Sequence, residues 1–146
     1  MEYQKINDYY LLALYRGDYL VASIKQFCQE EKIKNGFFIG LGAVDEVELA
    51  HYSVVGKKYS AKKFSEPLEM VSLLGNVFLE KEEGLIIHSH AIFGKKDFQS
   101  LGGHLVEAKI AGVGEIIFFP LKNEIKKEYD KETGLKIIAG LEKTKL

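Results

Sequence analysis

Arginine is almost missing from this 146-residue chain: Arg16 is the only one among 20 basic residues. Guanine reading and minor-groove insertion favour arginine's planar fork over lysine's point charge. Net charge is −1, so the basic excess that phosphate neutralisation asks of a dedicated nucleic-acid module is also missing. Weak DNA binding by the chain alone is the expectation. Cysteine occurs once, as Cys28, which excludes an internal disulfide and fits a reducing compartment. No apolar run approaches the roughly 20 residues of a membrane helix. Met1-Glu2-Tyr3-Gln4-Lys5 lacks a basic-then-apolar signal pattern. A cytoplasmic location with no membrane contact is expected. Proline is confined to Pro67 and Pro120, and no Pro- or Ser-rich linker or internal repeat divides the chain. A single domain over residues 1–146 is expected.

What is present has an ordinary globular balance, 47% hydrophobic and 28% charged. Tyr9 to Arg16 reads as a strand, broken by Gly17-Asp18, with Asp18 placed to cap a helix. Leu20, Val21, Ile24, Phe27 and Cys28 follow at helical spacing, which predicts helix from about Tyr19 to Lys32, with Asn35-Gly36 as its stop. Phe37 to Leu41, ended by Gly42, and Val44 to Ser53 read as two strands. Tyr59 to Phe64 reads as a lysine-rich edge strand, and Leu68 to Leu79 as strand material interrupted by Gly75-Asn76. Leu85 to Phe93 is apolar on both faces, as a central strand would be. Leu105 to Ala111 fits helix or strand; Glu115 to Phe119 and Leu135 to Leu141 read as strands. Loops this short leave no room for repeated helical crossovers. The expected fold is therefore α+β, with a largely antiparallel or mixed sheet, one long helix and a second short helix.

Within the apolar run lies His88-Ser89-His90. Side chains alternate along a strand, so the two imidazoles share a face and Ser89 takes the other. His104 follows just after Gly102-Gly103, a pair that permits a tight turn or a close backbone approach. Three imidazoles suit one divalent ion, zinc above all, and leave a fourth position open, as catalytic sites do. The plainer alternative is a histidine pair that only hydrogen-bonds. His51 stands alone in a polar strand and is assigned no role.

Taken together, these residues make the sequence resemble the "plants and prokaryotes conserved" (PPC) domain family over about Tyr9 to Leu141. The resemblance rests on Arg16-Gly17-Asp18, on Asn35-Gly36 through Gly42, and on Glu69-Met70-Val71-Ser72-Leu73-Leu74-Gly75. It ends with His88-Ser89-His90 followed by Gly102-Gly103-His104-Leu105, its most specific part. The resemblance implies a compact α+β domain assembling as a homotrimer, in a prokaryotic stand-alone form related to the PPC domain of plant AT-hook proteins. An AT-hook needs an Arg-Gly-Arg-Pro core, which this chain lacks. The fold is similar to that of acetolactate decarboxylase and of zinc-dependent ester hydrolases. Both hold zinc through a His-x-His pair and a later histidine, a pattern that His88, His90 and His104 match. The resemblance thus leaves two functions open. One is a trimeric binding or assembly module, in DNA-associated or regulatory complexes. The other is a small zinc-dependent hydrolase or decarboxylase with a small-molecule ligand at the metal.

Two residues are candidates for catalytic work. Glu69 matches an acidic position of the family, and either orients a histidine, serves as general acid or base, or is a solvated residue at a strand start. Arg16 either binds a carboxylate bidentately or forms a structural ion pair. Glu107, three residues after His104, would share a helical face with it as an outer partner. Lys57, Lys58, Lys62 and Lys63 form the densest basic stretch, read as phosphate contact or as an edge kept soluble. From Lys122 to Lys136, lysines alternate with Glu124, Glu128, Asp130 and Glu132, the pattern of a solvated surface.

Overall fold

The structure is a computed structural model and describes residues 1–80, 84–123 and 125–141; Glu124 of the charged tail lies outside them. The chain runs β1 (Glu2–Ile6), β2 (Tyr9–Tyr15), α1 (Leu20–Glu30), β3 (Asn35–Ser53), β4 (Lys58–Phe64), β5 (Leu68–Glu80), β6 (Gly84–Gly94), β7 (Ser100–Pro120), β8 (Lys126–Tyr129) and β9 (Lys136–Ala139). The first seven strands form one sheet in the order β1-β2-β7-β6-β5-β3-β4, and β8 and β9 form a separate hairpin. Every pairing is antiparallel. β3 also pairs with β7, so β3, β5, β6 and β7 close into a ring.

Closure depends on two long strands that bend. Phe37 to Leu41 and Val44 to Ser53 are one continuous strand, and the register shift at Gly42 is a bend rather than an end. Gly42 has φ +157°, and a Cβ there would strike the Val113 carbonyl, so only glycine lets β3 and β7 pass this closely. Nor does Gly75-Asn76 interrupt β5. The Phe38 ring occupies the space a Gly75 side chain would need.

The expected second helix does not form: Leu105 to Ala111 belongs to β7, and α1 is the only helix among the described residues. Its helical look has a definite cause. Leu105, Ala108 and Ile110 are buried. Leu49 pairs with Leu105 and Glu48 with Glu107, so Val106 is an extra residue in a bulge. The bulge turns a two-residue inward step into three, which imitates helical spacing.

Helix α1 buries Leu20, Ile24, Phe27 and Cys28. Phe27 meets the rings of Tyr3, Tyr10 and Phe118 edge-on at 4.9, 5.0 and 5.2 Å. The expected cap is replaced. Tyr19 occupies the N-cap position without a side-chain bond, while the Asp18 carboxylate accepts the Tyr15 N–H at 2.8 Å. The first turn is satisfied by Glu107 on β7, whose carboxylate accepts the N–H groups of Val21 at 2.7 Å and Ala22 at 3.2 Å. Just past the helix end at Glu30, Lys32 takes the left-handed conformation (φ 55°), with the Ile33 N–H bonded to the Cys28 carbonyl at 2.8 Å. Asn35 and Gly36 open β3 instead. No helix among the described residues is long and apolar enough to cross a membrane.

The sheet has an inner face toward the core and α1, and an outer one. On β2, β3 and β7 the outer residues include Leu11, Phe37, Ile39, Leu41 and Val113, all substantially exposed. Val71, Leu74 and Ile92 continue this apolar surface on β5 and β6. Between β1–β2 and β5 it forms an open groove of about 890 Å³, lined by Tyr3, Leu11, Ile39, Leu41, Val71 and Leu74 among others.

Candidate metal centre

Strand β6 alternates as its sequence requires. Ser89, Ala91 and Phe93 are buried inward, which turns His88, His90 and Ile92 to the outer face. In the β6–β7 ladder His104 stands directly opposite His90. The two glycines before it lie within the strand, not in a turn. A Cβ at Gly102 would sit 2.9 Å from the Ala91 carbonyl oxygen, and one at Gly103 would sit 3.0 Å from that of Ala50. Their small size lets β7 nestle between β6 and β3.

The three rings converge. Their centroids lie 5.1 Å (His88–His90), 5.3 Å (His88–His104) and 5.5 Å (His90–His104) apart. The Nε2 atoms of His88 and His90 are 3.2 Å apart, and one donor nitrogen from each ring falls within 4.8 Å of the others. Tetrahedral bonds of about 2.05 Å would separate neighbouring donors by about 3.3 Å, so the His88–His90 spacing fits a shared ion. The His104 Nδ1 is buried without a hydrogen-bond partner, an uncommon state for a native polar atom. Burial pushes the His88 ring down to about 4, with Lys127, His104 and His90 adding to the effect. Burial, then His90, lowers His104 as well. Both rings are therefore neutral near pH 7, the form whose lone pair can bind a metal. The set is a three-histidine site capable of coordinating a divalent ion.

Around it stand groups with no motif to announce them. The Tyr59 ring lies 5.1 Å from His104, and the Tyr52 ring lies tilted against Tyr59 at 4.7 Å. Asn76 of β5 pairs opposite His88, and its Oδ1 accepts from Lys127 Nζ at 3.4 Å. Sequence periodicity could place Tyr59 and Asn76 on strands but not beside a histidine, and Lys127 belonged to a stretch that reads as solvated surface.

The remaining candidates lie elsewhere. Glu69 is exposed and pairs opposite Gly94, four residues along β6 from His90, or about 13 Å. Arg16 is exposed in the turn before α1, with no ion pair among the described residues. Glu107 caps α1 and makes no hydrogen bond to His104. His51 is exposed outside the cluster. The basic stretch is an edge: Lys63 pairs with Glu48 at 3.6 Å, and Lys62 lies over the Phe64 ring.

A closed antiparallel ring packed on helix α1, bearing on its outer face three convergent histidines able to coordinate a metal, defines a class of α+β fold. Residues 1–122 match the Plants and Prokaryotes Conserved domain, abbreviated PCC or PPC, and this chain belongs to that family. A Bacteroides thetaiotaomicron protein proposed to bind DNA is similar at 30% identity and TM-score 0.89, covering 94% of this chain and 96% of its own. A metal-containing protein of Archaeoglobus fulgidus is similar at 31% identity and TM-score 0.83, covering 96% and 99%. A Pyrococcus horikoshii PPC protein is similar at 27% identity and TM-score 0.83, covering 97% and 95%. No curated protein matches the sequence.

Proposed function

We propose that this chain is a metal-bound PPC-domain protein that works as a homotrimeric binding or assembly module, with one divalent ion, zinc first, held by His88, His90 and His104. The observation that carries the metal is the convergence of three imidazoles, one donor nitrogen from each within 4.8 Å of the others, in a cluster whose His104 Nδ1 is buried and unpartnered. The metal-containing A. fulgidus relative supports it. Metal content of untagged protein, offered zinc, manganese, iron, nickel and cobalt in turn, tests it. One equivalent bound is expected, and no uptake at neutral pH would overturn it.

Support for self-association comes from the outer apolar face. Ile39, Leu41, Val71, Leu74 and Ile92 are all exposed on this face, and clustered exposed apolar residues of this kind mark association surfaces. Leu74 pairs directly opposite His90, so a subunit seated there would border the metal. A DNA-associated role would then belong to the assembly and its partners. With net charge −1, the chain alone should bind a duplex only weakly. Fluorescence anisotropy at physiological salt measures this, and specific submicromolar affinity would refute it.

A second reading, a small zinc-dependent hydrolase or decarboxylase, is favoured by the polar flank of Tyr59, Asn76 and Lys127 beside the histidines. A bound ion would supply Lewis-acid polarisation of a ligand carbonyl. The surrounding side chains would orient that ligand. Metal-dependent turnover of an ester or a β-keto acid, lost in His90→Ala, would favour this reading over the module.

A further inference from the structure

The hairpin of β8 and β9 follows the family-matched residues, which end at 122. Its path can be traced from its anchors. Leu74, Asn76 and Phe78 alternate onto one face of β5, opposite His90, His88 and Ile86 in the ladder. Lys127 lies 4.3 Å over the Phe78 ring and reaches Asn76, so β8 sits on the histidine face of β5. Phe78 is only 4% exposed although it points outward, consistent with that cover. Lys136 of β9 pairs with Glu80 on the same strand. At the hairpin's other end the Tyr52 hydroxyl donates to the Thr133 carbonyl at 2.9 Å, and Lys57 Nζ donates to the Lys131 carbonyl at 2.6 Å. Tyr52 lies on β3, two residues beyond Ala50, which pairs with His104. The hairpin therefore crosses from β5 to β3 on the face where β6 and β7, between them, carry the three histidines.

This crossing delivers a charge. Lys127 is partly buried, and its Nζ meets an amide oxygen and a ring face, with no carboxylate paired to it among the described residues. Three neutral imidazoles leave the full double charge on a divalent ion. The histidine cluster itself contains no carboxylate to offset it. Unbalanced positive charge in a partly dehydrated site is costly. The cheapest remedy is a negative oxygen from a ligand, which both the ion and the ammonium attract.

We propose that Lys127 makes the three-histidine centre selective for small oxyanions, carboxylate or phosphate, over neutral ligands. The inference rests on the metal reading above. The test uses the full chain loaded with cobalt(II), whose visible spectrum reports on its ligands. Wild type, Lys127→Gln, Lys127→Arg and the exposed neighbour Lys126→Gln are titrated with acetate, inorganic phosphate and, as a neutral probe, imidazole. In Lys127→Gln, acetate and phosphate should bind about fivefold more weakly or worse, from loss of one nearby charge. Cobalt uptake and imidazole binding should hold. Lys127→Arg and Lys126→Gln should behave as wild type. If wild type takes up no cobalt, the metal reading falls and this inference with it. If cobalt binds but Lys127→Gln leaves anion affinity unchanged, or weakens imidazole equally, the inference alone is overturned.

Discussion

Acidifying the metal-free protein should cost it stability through His88, and the sign follows from its surroundings. Burial holds the folded ring's pKa at about 4 against an ordinary value of 6.5. Between those values the unfolded chain takes up a proton at this position and the folded one does not. Stability is therefore full above 6.5, falls as pH drops through the window, and is fully lost only below about 4. A shift of that size corresponds to about 3 kcal/mol at about 1.4 kcal/mol per pKa unit. The ring is only half-buried, and solvent screening reduces the expected loss to about 1–2 kcal/mol. The assay is denaturant unfolding of chelator-treated protein at neutral pH and at about pH 5, for wild type and His88→Gln. Carboxylates elsewhere titrate in both proteins alike, so the difference between them isolates the ring. Wild type should lose about 1 kcal/mol more than the variant over this interval. Equal losses would show that the folded ring protonates as freely as an unfolded one, and would refute the argument from burial. Zinc should suppress the effect, because a coordinated nitrogen has no lone pair left for a proton.

Other outcomes are as definite. His90→Ala should abolish stoichiometric metal binding by calorimetry while leaving the circular dichroism of the fold, and His51→Ala should change neither. Glu107→Ala should lower unfolding stability by about 1–2 kcal/mol, since it strips two helix N–H groups of their acceptor. A loss of only a few tenths would mean that water caps α1 equally well. Light scattering should give three times the chain mass. Leu41→Lys, which places a charge on the exposed apolar face, should give a monomer; an unchanged trimer would move the interface elsewhere.

The parts of this molecule legible in the sequence were those governed by near neighbours. The apolar stripe of Leu20, Ile24, Phe27 and Cys28 marks α1, and alternation alone puts His88 and His90 on one face with Ser89 behind them. Where the outcome depended on a distant strand, local signals misled. Asp18 has the right chemistry for a cap, yet the helix start is met by Glu107, 86 residues from Val21. Gly42 and Gly75 look like breaks because an isolated strand has no use for them. Their purpose is visible only once Val113 and Phe38 press against them. The bulge at Val106 disguised a strand as a helix for the same reason. Lys127 is one lysine among many until the hairpin's course is known.

The 21 residues of β7 have a consequence for how the molecule comes into being. This strand pairs with β2, β3 and β6 and also caps α1. Each of those elements is made earlier, and none has its full set of neighbours until residues 100–120 arrive. The sheet cannot close piecemeal from the front of the chain. Its β2–β7 and β3–β7 pairings span long stretches of sequence, which slows folding by the entropy of closing large loops. His88 and His90 meet no third ligand until that late strand docks. A metal present during synthesis would first encounter a two-histidine site, so tight capture should come as a late event, coincident with the final closure of the ring.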